Sequence, residues 1–237
     1  IFEGVGKSKS DITDAIQKNI KQLNVESIEE LQLVNSISDD LNKKPRIGLR
    51  VNPDINANTL DKISTGRKTD KFGIPFDIIP DVCSKIKKLE WINLKGISSH
   101  IGSQICDLNV FEKIFIKMKQ ATEIIEANDI LIDNLDLGGG FGVIYNKEKE
   151  VDFEKLSTLI KKIFTNTKYN LSVEPGRYLV ANAGILVTKI LTVSSVFDFS
   201  NATVMTLMRI FTICRPITRI ARARIRLNPI LLPTSIR

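Results

Sequence analysis

Asp136-Leu137-Gly138-Gly139-Gly140-Phe141-Gly142 stands where an apolar run containing Leu131, Ile132 and Leu135 empties into glycines. The pattern predicts a strand that ends in a bare backbone loop. Glycine reaches positive φ without strain and leaves no Cβ between its amide N–H and an approaching anion, so three in succession suit a phosphate cradle as well as a plain turn. Two further stretches show the same design. Gly96-Ile97-Ser98-Ser99-His100-Ile101-Gly102-Ser103-Gln104 and Leu171-Ser172-Val173-Glu174-Pro175-Gly176-Arg177 each run from apolar strand into polar residues. Helix-patterned sequence fills the intervals, which predicts parallel strands. Parallel strands share one carboxyl edge, where the loops of closed α/β barrels carry the chemistry. His100, Gly138 to Gly140 and Glu174 to Arg177 are therefore expected in one mouth.

At 237 residues and 43% hydrophobic, the chain has enough apolar sequence for one large α/β domain. It starts without an initiator Met or a basic-then-apolar signal, and it nowhere runs 18 apolar residues together, so a soluble, cytoplasmic protein with no membrane partner is expected. Its three cysteines, Cys83, Cys106 and Cys214, lie far apart and outside any CxxC, which predicts reduced thiols and no metal site. The net charge of +7 is unevenly placed. Through Ser200, 23 Lys and 4 Arg balance 27 acidic residues; from Asn201 onward there are 7 Arg and no Lys, acid or glycine. That break marks residues 201–237 as an aberrant tail, expected to be a frameshifted translation, and argues against a nucleic-acid-binding protein.

Phe2 to Val5 reads as a strand, after which Ser10 is placed to cap a helix with apolar face Ile12, Ala15, Ile16, Ile20 and Leu23. Further strands are expected at Val25, Arg46 to Asn52, Ile92 to Ser98, Asp136 and Val173, with helices from Ser27, over Asp77 to Leu89, through Val110 to Ile125 and over Asp152 to Phe164. The Phe111, Phe115 and Met118 stripe reads as core packing. Asp54 to Phe72 has no clean period, the mark of a functional loop, and Ile185 to Val196 reads as strand. Six strands of the eight in a (β/α)8 TIM barrel are accounted for, so a partial barrel over residues 1–182, truncated at its N-terminus, is followed by the start of a β domain over 183–200.

The strand-end residues suit a phosphorylated aromatic cofactor. The amides of Gly138, Gly139 and Gly140 and the Ser103 hydroxyl can hold a phosphate, and Arg177 adds a charge-assisted hydrogen bond. Glu174 can pair with a protonated ring nitrogen and His100 can lie flat against the ring. Each residue also has a plainer role, as a structural histidine, a turn or a solvated ion pair.

Phe2-Glu3-Gly4-Val5-Gly6-Lys7, Arg50-Val51-Asn52-Pro53, Ser64-Thr65-Gly66 with Lys71-Phe72-Gly73, His100-Ile101-Gly102-Ser103-Gln104, Gly138-Gly139-Gly140 and Glu174-Pro175-Gly176-Arg177 follow the motif order of diaminopimelate decarboxylase, which residues 1 to 196 resemble. The resemblance implies an alanine-racemase-like barrel that binds pyridoxal 5′-phosphate, decarboxylates meso-diaminopimelate to lysine and works as a homodimer with a C-terminal β domain. It implies that His100 stacks on the ring, that Ser103, Gly138 to Gly140 and Arg177 serve the phosphate, and that Glu174 meets the ring nitrogen; Arg177 alternatively faces a substrate carboxylate. Gln104 and the Ser-Thr-Gly loop favour diaminopimelate over ornithine, arginine or carboxynorspermidine as substrate. A low-ranking alternative makes the basic tail an anion-binding element. The family's Schiff-base lysine would lie upstream of Ile1, and none of the 23 lysines has a matching context. No catalytic residue is therefore assigned, and the isolated chain is expected to be inactive.

Overall fold

Strand β2 (Arg46–Asn52) is the hub of the sheet, pairing in parallel with β1 (Leu23–Val25), with β3 (Ile74–Pro75) and with β4 (Asn93–Ser98). β4 pairs with β5 (Asn134–Gly139), and β5 with β6 (Asn170–Glu174), again in parallel. These elements come from a computed structural model, described here for residues 1–55, 72–145 and 149–183. The principal order β1-β2-β4-β5-β6, with β3 off the path, is that of successive β/α units laid side by side in a partial barrel. The compact unit they form runs from Ile1 to Asn182. The expected strand at Ile185 to Val196, the β domain over 183–200 beyond its first residue, the tail and most of the Asp54 to Phe72 loop lie outside the described residues.

Helices α1 (Lys9–Gln17), α2 (Ile28–Asp40), α3 (Ile79–Ile86), α4 (Leu108–Ala127), α5 (Phe153–Phe164) and α6 (Gly176–Val180) complete the unit. Ser8, not Ser10, caps α1: its hydroxyl accepts from the Asp11 N–H while the Asp11 carboxylate accepts from the Ser8 N–H. Ser27 caps α2 as expected. The expected helix over Asp77 to Leu89 starts instead with one 3-10 turn at Phe76–Ile78, and α3 follows with Pro80 in its first turn. The Phe2 to Val5 strand shrinks to one bridge, Phe2 to Leu23, because Gly4 and Gly6 take φ of 120° and 75°, outside any strand ladder. The six strands are thus not the six expected; Ile74–Pro75 takes the place of Phe2.

Side chains alternate cleanly across the sheet. Leu23, Val25, Ile47, Leu49, Val51, Ile97, Leu135 and Leu137 are buried in the hydrophobic core with Ile12, Leu31, Val34, Ile79, Phe111, Phe115 and Met118 of the helices. That confirms the aromatic and Met stripe of α4 as core. Alternate residues are polar or absent: Asn24 and Glu26, Gly48 and Arg50, Gly96 and Ser98, Asn134 and Asp136, Ser172 and Glu174. Gln22, which precedes β1, crosses over two intervening strands to reach β5, accepting from Asn134 Nδ2 at 3.1 Å and donating to Asn24 Oδ1 at 2.7 Å. Its side chain lies over Gly48 and Gly96, where any Cβ would overlap it. A side chain spans strands this far apart only on the concave face of a curved sheet.

At Gly96 the added Cβ would also lie 2.7 Å from the Asn134 carbonyl oxygen, which is backbone and cannot swing away. Gly96→Ala is expected to destabilise the chain by about 1–3 kcal/mol, the usual cost of overpacking. Urea unfolding of the full chain measures it, and an unchanged midpoint would refute this account of the interior.

Candidate functional site

The carboxyl ends of β4, β5 and β6 meet through glycines whose packing leaves no room for a side chain. A Cβ at Gly138 (φ 68°) would overlap the Ser99 carbonyl, at Gly139 the Glu174 carbonyl, and at Gly140 (φ 83°) the Gly102 carbonyl. Close backbone approach therefore accounts for the whole triplet. The Gly138 N–H donates to Asp136 Oδ1 at 3.1 Å, so this amide of the expected cradle already has a partner inside the chain.

Beyond the glycines the loops after β4 and β5 are zipped together. Ile105 N–H donates to the Gly140 carbonyl at 2.9 Å and Gly142 N–H to the Ile105 carbonyl at 3.0 Å. Gln104, held at φ 63°, adds a two-way clasp: its Nε2 donates to the Val143 carbonyl at 3.0 Å and its Oε1 accepts from the Val143 N–H at 2.9 Å. The substrate-selecting side chain expected at 104 is thus engaged in joining two loops. A chain of rings backs them, with Phe111 to Phe141 at 5.4 Å, Phe141 to Phe153 at 5.5 Å and Phe153 to Tyr178 at 4.7 Å.

On this frame the expected residues converge. His100 Nδ1 lies 3.9 Å from Glu174 Oε2, both side chains about 30% exposed (29% and 31%). Arg177, on the first turn of α6, donates from Nε to Ser103 Oγ at 3.0 Å and from Nη1 to the Tyr145 hydroxyl at 3.1 Å. The helix at Gly176–Val180 was not expected from the sequence, because five residues carry no period.

Below them lies a buried ionic layer. Glu3, Asp136 and Glu174 bring carboxylate oxygens within 4.8 Å of one another. Arg50, buried, binds Glu26 Oε2 at 2.9 Å and lies 3.3 Å from Glu3 Oε1, while its Nη2 donates to the His100 carbonyl at 3.4 Å. Glu3 Oε2 also accepts from Asn24 Nδ2 at 2.6 Å. Lys7 is drawn into the same layer, 2.7 Å from Glu30 and 4.0 Å from Glu26 with its side chain 2% exposed.

The whole unit matches a known family. Residues 1–181 fit the family of pyridoxal-dependent decarboxylases, at its pyridoxal-binding domain. The chain belongs to this family. The chain is 38% identical over 191 residues to the diaminopimelate decarboxylase of Aquifex aeolicus and 39% identical over 191 residues to that of Vibrio cholerae, matching 80% of its own length and 46% of theirs. A crystal structure of diaminopimelate decarboxylase from Helicobacter pylori complexed with L-lysine superposes with a TM-score of 0.74 at 34% identity, over 81% of this chain and 48% of that one. A Chlorella virus arginine decarboxylase shares the fold at 22% identity with a TM-score of 0.60. The chain spans about half the length of the curated relatives it matches, 46% for the first two.

Burial shifts the titration of the carboxylates at this site. Burial pushes the Glu174 carboxyl up to about 8, helped by the charges of Glu3 and Asp136 and by a hydrogen bond with Glu3, against the opposing pull of Arg50. Burial likewise raises Asp136 to about 6, with the Gly138 N–H opposing and Glu3 assisting. Glu26 is also raised, by burial first, with Arg50 and Lys7 opposing. The sequence reading missed Glu3, Asp136, Glu26 and Tyr145 as parts of the site. The period-2 polar positions running along and just past the strands were the available signal for Asp136 and Glu26, Glu3 stands on no strand, and nothing in the sequence marks Tyr145.

A carboxyl with a raised folded value binds protons that the unfolded chain releases. Stability of the full chain is therefore expected to fall as pH rises from about 4.5, the ordinary glutamate value, to about 8. Glu174→Gln is expected to flatten most of that slope in urea unfolding followed across this range. An equal slope in the variant would show that the protons sit elsewhere.

Proposed function

We propose that this chain forms the pyridoxal-phosphate-binding part of an enzyme that decarboxylates meso-2,6-diaminopimelate to L-lysine. The observation that carries the reading is the convergence at one sheet edge of Glu174 beside His100, 3.9 Å apart, and of Arg177 on Ser103, 3.0 Å apart. Relatives at 38% and 39% identity bear the name of that enzyme. The residues fit the cofactor in charge as well as in kind. Glu3, Asp136 and Glu174 crowd together with Arg50 as the cation in contact with Glu3, and a protonated ring nitrogen would supply a further positive charge.

When bound, the cofactor supplies an electron-poor ring that accepts the electron pair left by a departing carboxylate. Glu174 is proposed to hold the ring nitrogen in its protonated form by accepting its N–H, and the single proton that burial keeps on the free carboxyl up to about 8 is the one this pair would share. His100 is proposed to cover the ring face. Ser103, Arg177 and the Gly138 to Gly140 loop are proposed to take the phosphate, with Arg177 alternatively meeting a substrate carboxylate. The substrate is a small amino acid, and the reading includes a homodimeric assembly in the cytoplasm, with neither nucleic acid nor membrane as partner. Among the described residues no helix is long and apolar enough to cross a membrane.

Lys7 sits close to this layer, but Glu30 holds its amine as a buried ion pair. Covalent attachment at Lys7 would need that amine neutral and exposed. The chain alone is therefore expected to bind pyridoxal phosphate without a covalent bond and to release no carbon dioxide from meso-diaminopimelate. Absorbance titration of the purified chain measures the binding, which Glu174→Ala should weaken roughly tenfold, the effect of one hydrogen bond to a charged group, and His100→Ala roughly 3- to 10-fold, the effect of one ring contact. Borohydride should leave no stoichiometric pyridoxyl-lysine. Turnover, a stoichiometric label, or binding that ignores both substitutions would overturn the reading.

A further inference from the structure

Arg177 is held in an unusual way for a cation at a sheet edge. Its two acceptors, Ser103 Oγ and the Tyr145 hydroxyl, are both neutral, and among the described residues no carboxylate forms an ion pair with it. A guanidinium carries five N–H donors in one plane. Two are spent on these hydroxyls, one at Nε and one at Nη1, and three remain without a protein acceptor among the described residues. Fixing the group at two of its nitrogens fixes the plane while leaving the charge uncompensated. An acidic partner would orient the group equally well and would cancel the charge.

The two hydroxyls reach Arg177 from different loops, Ser103 from the one after β4 and Tyr145 from the one after β5, while Arg177 itself follows β6. The position of Tyr145 is itself determined. Val143, two residues earlier, is clasped from both sides by Gln104, the neighbour of Ser103, at 3.0 and 2.9 Å. The clasp thus fixes the spacing of the two loops from which both acceptors come. Tyr145 is 47% exposed and adds little to the core, so packing does not account for its contact with Arg177.

We propose that Tyr145 is the positioning residue of an anion subsite, holding the Arg177 guanidinium so that its remaining N–H groups face a small anionic group, a phosphate or a carboxylate. This deepens the functional reading above and rests on it for the identity of the anion: the phosphate of the cofactor or a carboxylate of the amino acid. Tyr145 does not touch the anion in this proposal. It acts through Arg177, by removing the rotational freedom that a long side chain otherwise loses on binding.

The test compares the full chain with Tyr145→Phe, which keeps the ring and deletes the acceptor. The first readout needs no cofactor: nitrogen-15 NMR of the arginine side chains, with Arg177→Lys identifying the Arg177 signals by their loss. Tyr145→Phe is expected to speed rotation and solvent exchange of the Arg177 Nη protons severalfold, with the melting temperature unchanged. The second readout is binding of inorganic phosphate, pyridoxal phosphate and L-lysine, each titrated separately. Weakening by roughly 3- to 10-fold, the effect of one hydrogen bond, is expected for the ligand whose anion Arg177 meets. Loss confined to phosphate and pyridoxal phosphate supports the proposal and names the phosphate; loss confined to L-lysine supports it and names the carboxylate. Unchanged Arg177 signals, or unchanged affinity for a ligand that Arg177→Lys abolishes, overturn the proposal and leave the functional reading standing. If the chain takes up inorganic phosphate but not pyridoxal phosphate, the functional reading fails, and the phosphate titration still decides for or against Tyr145.

Discussion

The side chain of Gln22, laid across two strands that have no side chains to meet it, is the constraint on which the rest of this structure depends. Gly48 and Gly96 leave a trough on the concave face, and Gln22 lies in it to reach Asn134 from one side and Asn24 from the other. A buried amide is costly unless its polar groups are paired. Asn24 satisfies one end from β1 next door, but the other end reaches Asn134 only if β1, β2, β4 and β5 curve together. The bend in turn aims the carboxyl ends of the strands at a common point. Asn24, passing the connection on to Glu3 at 2.6 Å, ties the interior directly to the mouth.

What gathers at that point is an excess of negative charge held in low dielectric. Arg50 answers it in part, joining Glu3 and Glu26 and touching the backbone of His100. Burial first, and that remaining imbalance second, hold the Glu174 proton well above the ordinary range. On the other flank the sign reverses: Arg177 is braced by uncharged hydroxyls. A ligand with a cationic ring nitrogen at one end and an anionic group at the other would match both flanks, and pyridoxal phosphate has that form.

The sequence made the outer half of this design legible. Strands that end in glycine or in polar residues identified the mouth, and the parallel sheet, the helices and the core stripe of α4 follow the hydrophobic periods closely. Three things escaped for separate reasons. The first strand was overestimated because Phe2 to Val5 looks apolar, whereas positive φ at Gly4 and Gly6 breaks the ladder. The helix carrying Arg177 is too short to show a period. The acidic layer escaped because Glu3, Asp136 and Glu174 stand far apart along the chain, and only the pairing of β5 with β6 and the return of the N-terminal segment to the same mouth bring them together. Gln104 illustrates the converse. It was legible as a motif residue, but the sequence could not show that its side chain joins two loops.

The three glycines at the end of β5 bear on how a site of this kind can diversify. Each has a carbonyl of a neighbouring segment where its Cβ would stand: Ser99 for Gly138, Glu174 for Gly139 and Gly102 for Gly140. Three adjacent positions thus admit a single residue type for reasons of packing, whatever ligand they serve. Such a segment has no room for gradual adjustment, and it sets the backbone positions of the strand ends on both sides. Any tuning of ligand preference must therefore come from side chains further out along the loops, where a substitution changes a surface without moving the scaffold. The rigid centre makes the periphery the part of the site that is free to vary.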